Sequence, residues 1–171
     1  YARVRVCDDT ERTTRTDLCE RYPNGNYKPI GEIQRKSTGV RLAAFGYLLD
    51  NTTSRYGGVL RAPMKYVGAK TFDINGNDNT PSGGNPAAEW NATTGVFNPN
   101  PDGDTSQTPA ISGVINYLNK FGRTGPVPGR YKYYDPIGEL HYETLRYLQG
   151  LPPSAEAISA ITANQQDGFP V

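Results

Sequence analysis

Oxygen-bearing side chains alternate at two places in this chain. In Asp73-Ile74-Asn75-Gly76-Asn77-Asp78 and in Asn98-Pro99-Asn100-Pro101-Asp102-Gly103-Asp104, carboxylates and amides recur around a glycine. A hard cation such as Ca²⁺ gathers about six to eight oxygens, and such loops supply them. Asp73, Asn75, Asn77, Asp78, Asp102 and Asp104 are therefore the candidate metal ligands, and calcium is the one cofactor the sequence suggests. Neither loop completes an EF-hand, because the closing position that needs glutamate is Gly84 counted from Asp73 and Pro109 counted from Asn98. The competing reading is that Asn, Asp and Gly are present because they turn a chain and tolerate positive φ.

Carboxylates also recur at helical spacing. Glu139 and Glu143 stand one turn apart, where a general acid and base would share a face. Pairing of Glu143 with Arg146 explains the same spacing as an exposed, salt-bridged surface. His141, the only histidine, falls on an apolar stripe and reads as a core residue. No serine or cysteine sits in a nucleophile motif, so hydrolase chemistry has little foothold. Gly57-Gly58 and Gly83-Gly84 lack the following Gly-Lys-Ser/Thr of a phosphate cradle. Asp104-Thr105-Ser106-Gln107-Thr108 matches the metal-site motif of von Willebrand A domains, but Asn, Pro and Asp precede it where that motif needs an apolar strand. No catalytic residue is assigned, and no enzyme is expected.

Two residue types point to other roles. Cys7 and Cys19 lie close enough in sequence to close a small disulfide loop, stabilising by roughly 2–4 kcal/mol and requiring an oxidising compartment. Two unrelated thiols are the alternative; a zinc site of four protein ligands is excluded with one histidine. The 12 tyrosines suit interfaces, since each buries a rigid ring and keeps a polar tip. Tyr131, Tyr133 and Tyr134 form the densest cluster and are the candidate contact residues.

The elements that must position these groups follow from pattern. The 171 residues suffice for one domain, or one with excursions, and 36% hydrophobic residues with 19 Gly and 14 Pro imply much ordered loop. With 18 basic against 17 acidic residues, no field gathers nucleic acid or anionic lipid. No apolar run reaches the roughly 20 residues needed to span a bilayer. The start at Tyr1 suggests processing, truncation or excision from a longer polypeptide. Residues 1–7 alternate as a half-buried strand; Tyr22–Tyr27 is turn chemistry, and a short helix is expected from Pro29 to about Lys36. Val40–Leu49 reads as a strand buried on both faces, and 59–67 as two short strand pieces broken at Pro63. Residues 73–108 form a long loop excursion, which something must hold in place. A mainly helical part, 109–164, comprises helices over 109–121 and 136–149 and a weaker one from Ser154 to about Asn164. The expected fold class is α+β: a small, partly antiparallel sheet packed against two or three helices.

Several phrases, in order, resemble the PilC/PilY family of type IV pilus proteins. They are Cys7 with Cys19, Tyr22-Pro23-Asn24-Gly25-Asn26-Tyr27-Lys28-Pro29, Phe45-Gly46-Tyr47-Leu48, Gly57-Gly58-Val59-Leu60-Arg61, Gly95-Val96-Phe97, Gly113-Val114-Ile115-Asn116 and Pro136–Tyr147. The resemblance is to the region between an N-terminal portion, often carrying an A-like domain, and a C-terminal β-propeller. It implies a non-enzymatic, secreted or outer-surface factor, reached through the periplasm, that assembles type IV pili, sits at the tip, opposes retraction and supports adhesion and twitching. The implied partners are pilins or minor pilins, a host or surface receptor, and the rest of the parent polypeptide. Family members bind calcium through a propeller loop, which this segment lacks. Two other classes remain as alternatives: a self-assembling extracellular filament subunit, and a secreted hydrolase using Glu139 and Glu143.

Overall fold

A computed structural model describes residues 5–49, 57–120 and 134–171. The chain is α+β, with two small antiparallel two-stranded sheets and several helices. It divides into two compact units, Tyr1–Arg41 with Tyr66–Asn98, and Leu42–Lys65 with Pro99–Val171.

In the first unit, α1 (Glu11–Thr14) leads into the hairpin β1 (Cys19–Arg21) and β2 (Tyr27–Pro29), in register from Cys19 opposite Pro29 to Arg21 opposite Tyr27. The turn forms where Asn and Gly predict it: Gly25 takes φ +86° and its N–H donates to the Tyr22 carbonyl. Helix α2 (Glu32–Arg35) is shorter than expected, and the Gln34 side chain accepts the Gly31 N–H at its start. Cys7 and Cys19 are joined by a disulfide and both are buried.

The part of the loop excursion in this unit is held by side-chain amides. Asn85 donates to the carbonyls of Tyr66 and Gly68, and Asn98 donates to that of Ala88. Trp90 is buried and bridges to Phe97. Its asparagines thus satisfy part-buried carbonyls both within the segment and just before it, which fastens a segment without regular structure.

In the second unit, β3 (Arg41–Tyr47) pairs with β4 (Gly58–Tyr66), both strands running one residue past the unit's bounds. Arg5 to Cys7 join neither sheet, and residues 1–4 of the expected opening strand lie outside the described residues. Only Ala44 and Gly46 of β3 are buried, so the expectation of burial on both faces is corrected; two strands offer too little surface to be enclosed. Strand β4 runs unbroken through Pro63, which is exposed at a position needing no ladder donor.

Among the described residues, four helices complete this unit: α3 (Val114–Lys120), α4 (Ile137–Leu148), α5 (Ala155–Ile158) and α6 (Ala163–Gln166). Helix α3 starts later than the Thr108-Pro109 signal predicts. Ser112 is instead fastened to the preceding loop, its N–H donating to Pro99 and its hydroxyl to Asn100 Oδ1, and Gly113 takes φ +99° before the helix begins. The single helix expected after Ser154 is two, because Ala160 turns left-handed at φ +48° and Thr162 with Gln165 opens a new start.

Strand and helix meet backbone to backbone at Gly58. A Cβ there would lie 2.5 Å from Leu140 Cα, with no flexible side chain to give way. Gly58→Ala is therefore expected to cost about 1–3 kcal/mol by overpacking, measurable as a shifted urea midpoint at unchanged slope.

The C-terminal segment is anchored by a buried arginine. Arg61 is 1% exposed and donates to the carbonyls of Tyr47 and Gln166 at 2.8 Å, with longer bonds to Gln165 and Pro170. Its guanidinium lies 5.7 Å from the centre of the Tyr117 ring, which in turn meets Phe169 edge-on. Burial pulls the guanidinium below its ordinary pKa, and Tyr117 and Asp167 oppose that shift.

Candidate interaction face and groove

The candidate metal ligands fall in different places. Asp73 to Asp78 belong to the first unit, Asp102 and Asp104 to the second. The Asp73 carboxylate accepts the N–H groups of Asn75 and Asn77 and the Asn77 side-chain amide. Asp78 pairs with Lys70 at 2.8 Å and accepts the Thr80 N–H. Asp102 forms a largely buried ion pair with Lys65, and Asp104 accepts the N–H and hydroxyl of Ser106. Among the described residues, no three His, Cys, Asp or Glu side chains gather closely enough to hold a metal ion. In this geometry Asp73, Asp78 and Asp104 order their own loops, and Asp102 ties its loop to β4.

That ordering makes the first loop acid-sensitive. The Asp78 carboxyl is held well below the ordinary carboxylate range, chiefly by Lys70 and then by Thr80, and the Asp73 carboxyl is lowered chiefly by Asn77. Each therefore binds its proton less tightly folded than unfolded. The stabilisation is complete above the unfolded value, near about 4, and is lost as pH falls from there through the lowered folded values. Amide exchange at Asn75, Asn77 and Thr80, corrected for intrinsic rates, is expected to lose protection below that pH before the hairpin around Tyr22 does. Protection unchanged at the lowest pH that keeps the chain folded would contradict it.

The two glutamates do not form a pair facing one cavity. Glu143 is 3% exposed; its carboxylate accepts the Ser154 hydroxyl at 2.5 Å and the Ser154 N–H at 3.1 Å. The expected Glu143–Arg146 surface bridge is corrected: Arg146 donates to the Pro152 carbonyl and the Tyr142 hydroxyl. Glu139 is half-buried and does not line the cavity that Glu143 lines.

The reading of His141 as a core residue is also corrected, because α4 is turned so that only part of its apolar stripe enters the core. Leu140, Glu143, Thr144 and Tyr147 are the residues turned inward, whereas Ile137 (72% exposed), His141, Leu145 and Leu148 (60%) face outward. Close packing fixes this rotation. Leu140 abuts Gly58, Pro136 abuts Gly57, and Tyr147 packs edge-on against Phe45 while its hydroxyl accepts the Met64 N–H. The result is an exposed apolar stripe, with Tyr142 beside it. Tyr134, of the predicted contact cluster, is exposed as well; Tyr131 and Tyr133 lie outside the described residues.

On the inner side of α4 lies a groove of about 640 Å³. Val59, Leu60, Ala157 and Ile161 wall it, Leu151 and Ile158 form an exposed rim, and Glu143 contributes its one acidic side chain. Helix α5 is set against this groove by Ser154, whose hydroxyl accepts the Ala157 N–H and donates to Glu143.

A curated protein of Xylella fastidiosa (strain Temecula1), described as a type IV pilus biogenesis factor PilY1 homolog, is 40% identical over an alignment of 185 residues covering 99% of this chain. By sequence, the chain is similar to a segment of that PilY1 homolog. The chain spans 14% of the length of that PilY1 relative. No family model and no solved structure matches. The PilY1 likeness agrees with the family resemblance carried by the ordered phrases of the sequence. Among the described residues, no helix is long and apolar enough to cross a membrane.

Two roles in this segment, that of Arg61 as a buried donor and that of Ser154 as the partner of Glu143, were not read from its sequence. Arg61 stands between Leu60 and Ala62 in an otherwise apolar run, and a lone cation there is the signal that the strand carries a buried donor. Ser154 precedes Ala-Glu-Ala-Ile after two prolines, which marks it as a helix N-cap. Nothing in the sequence indicates that Glu143, 11 positions earlier in the chain, is the group Ser154 binds.

Proposed function

We propose that this chain is a structural and interaction segment of a type IV pilus biogenesis factor acting outside the cell, at the pilus tip, in adhesion and twitching. The observation that carries this reading is the 40% identity to the PilY1 homolog across 99% of the chain. The Cys7–Cys19 disulfide supports an oxidising location. The outward stripe of α4 supports a contact role, because contiguous exposed apolar surface on a folded protein marks association. In this reading the stripe and Tyr134 meet pilins or minor pilins, and no catalysis is involved.

Immunogold labelling of cells with antibody to this segment tests the reading. Label is expected at filament tips and in sheared pilus preparations. Label confined to the cytoplasm, with none in pilus fractions, would overturn it.

A further inference from the structure

We infer that the groove beside α4 receives a peptide segment of a partner protein that places a lysine or arginine side chain between aliphatic residues. The inference starts from an unbalanced charge and does not depend on the pilus reading. Glu143 is almost fully buried, and among the described residues its hydrogen bonds come only from Ser154, a neutral residue. Among the described residues, no lysine, arginine or histidine forms an ion pair with it; Arg146, one turn along the helix, is committed to Pro152 and Tyr142. A buried carboxylate without a cation is costly, and a cation that enters the same low-dielectric site regains that cost.

The rest of the groove selects what carries the cation. Its volume of about 640 Å³ lies within the range that encloses a small ligand or a few side chains. Its walls are mostly apolar, with Phe45 and Tyr147 beside the aliphatic residues, so the stem of a lysine or arginine packs while the head reaches Glu143. Leu151 and Ile158 on the rim are each 46% exposed. An aliphatic rim open to water fits a chain that crosses the groove and covers the rim with flanking apolar residues, rather than a compact amine sunk in a closed pocket.

The probes are three capped tripeptides, Leu-Lys-Leu, Leu-norleucine-Leu and Leu-Glu-Leu, together with n-hexylammonium, titrated into the 171-residue chain and followed by amide and methyl NMR shifts. The lysine peptide is expected to bind about tenfold more tightly than the norleucine peptide and to shift Val59, Leu60, Ala157 and Ile158. Glu143→Gln, which keeps an acceptor for Ser154, is expected to abolish that preference. Should that variant fail to fold, Ile158→Lys on the exposed rim serves instead, and is expected to weaken the lysine peptide more than the norleucine peptide. Equal affinity for all three peptides, shifts away from the groove, a preference that survives Glu143→Gln, one that Ile158→Lys leaves intact, or hexylammonium binding as tightly as the lysine peptide would each overturn the proposal.

Discussion

Arg61→Ala is expected to lower the stability of the second unit by about 3 kcal/mol or more, because two buried carbonyls lose charged donors at once and each unsatisfied group costs about 1–3 kcal/mol. The carbonyls are those of Tyr47, at the end of β3, and Gln166, at the end of α6, so one guanidinium ties the sheet to the C-terminal segment. The loss should not be confined to unfolding. Gln166 and Val171 line the groove beside α4, and releasing them is expected to broaden the methyl signals of Ala157 and Ile158. Arg61→Met separates the two contributions, since it keeps the apolar stem and removes the donors. Chemical unfolding that places Arg61→Met near the wild type would assign the effect to packing; a deficit close to that of Arg61→Ala is the expected result.

The second large effect is expected from the sulfur link. Cys7 and Cys19 are 12 positions apart, and opening their loop releases chain entropy worth about 3 kcal/mol. The hairpin they support has only two short strands, a size that is marginal without a covalent or packing partner. The double variant Cys7→Ser with Cys19→Ser is therefore expected to lose its hairpin at a lower denaturant concentration than the wild type, read from amide exchange at Arg21 and Tyr27. A wild-type midpoint in the double variant, or in the wild type treated with reductant, would show the link to be incidental.

Local chemistry was the most legible level of this sequence. The Tyr22–Tyr27 turn, the two strands near 41–47 and 58–66, and α4 all stand close to where glycine, alternation and helical period put them. The positions of the loop asparagines were legible only as turn chemistry. That Asn85 reaches back to Tyr66 and Gly68 depends on how the chain returns, which no local window contains.

The rotation of α4 was misread for a physical reason. Periodicity points Ile137, Leu140, His141, Thr144, Leu145 and Leu148 inward; Leu140 and Thr144 do turn inward, but Ile137, His141, Leu145 and Leu148 face outward and Glu143 takes the inner side. The deciding contacts are instead Gly57 and Gly58, where the absence of a Cβ lets the helix approach, and Ser154, which satisfies the buried carboxylate. A surface stripe kept apolar against the ordinary preference of a solvated helix is what an association face requires. Glu143 was misjudged by the same logic, since a glutamate on a polar-looking face gives no hint of burial until its capping serine is placed.

Surface piliation in cells whose own copy of the parent protein carries Leu145→Glu and Leu148→Glu tests the contact role most directly. Both leucines are exposed, so the fold is expected to hold and protein levels to match the wild type. The account predicts a severalfold drop in pili recovered by shearing. Wild-type pilus numbers at equal protein level would contradict it.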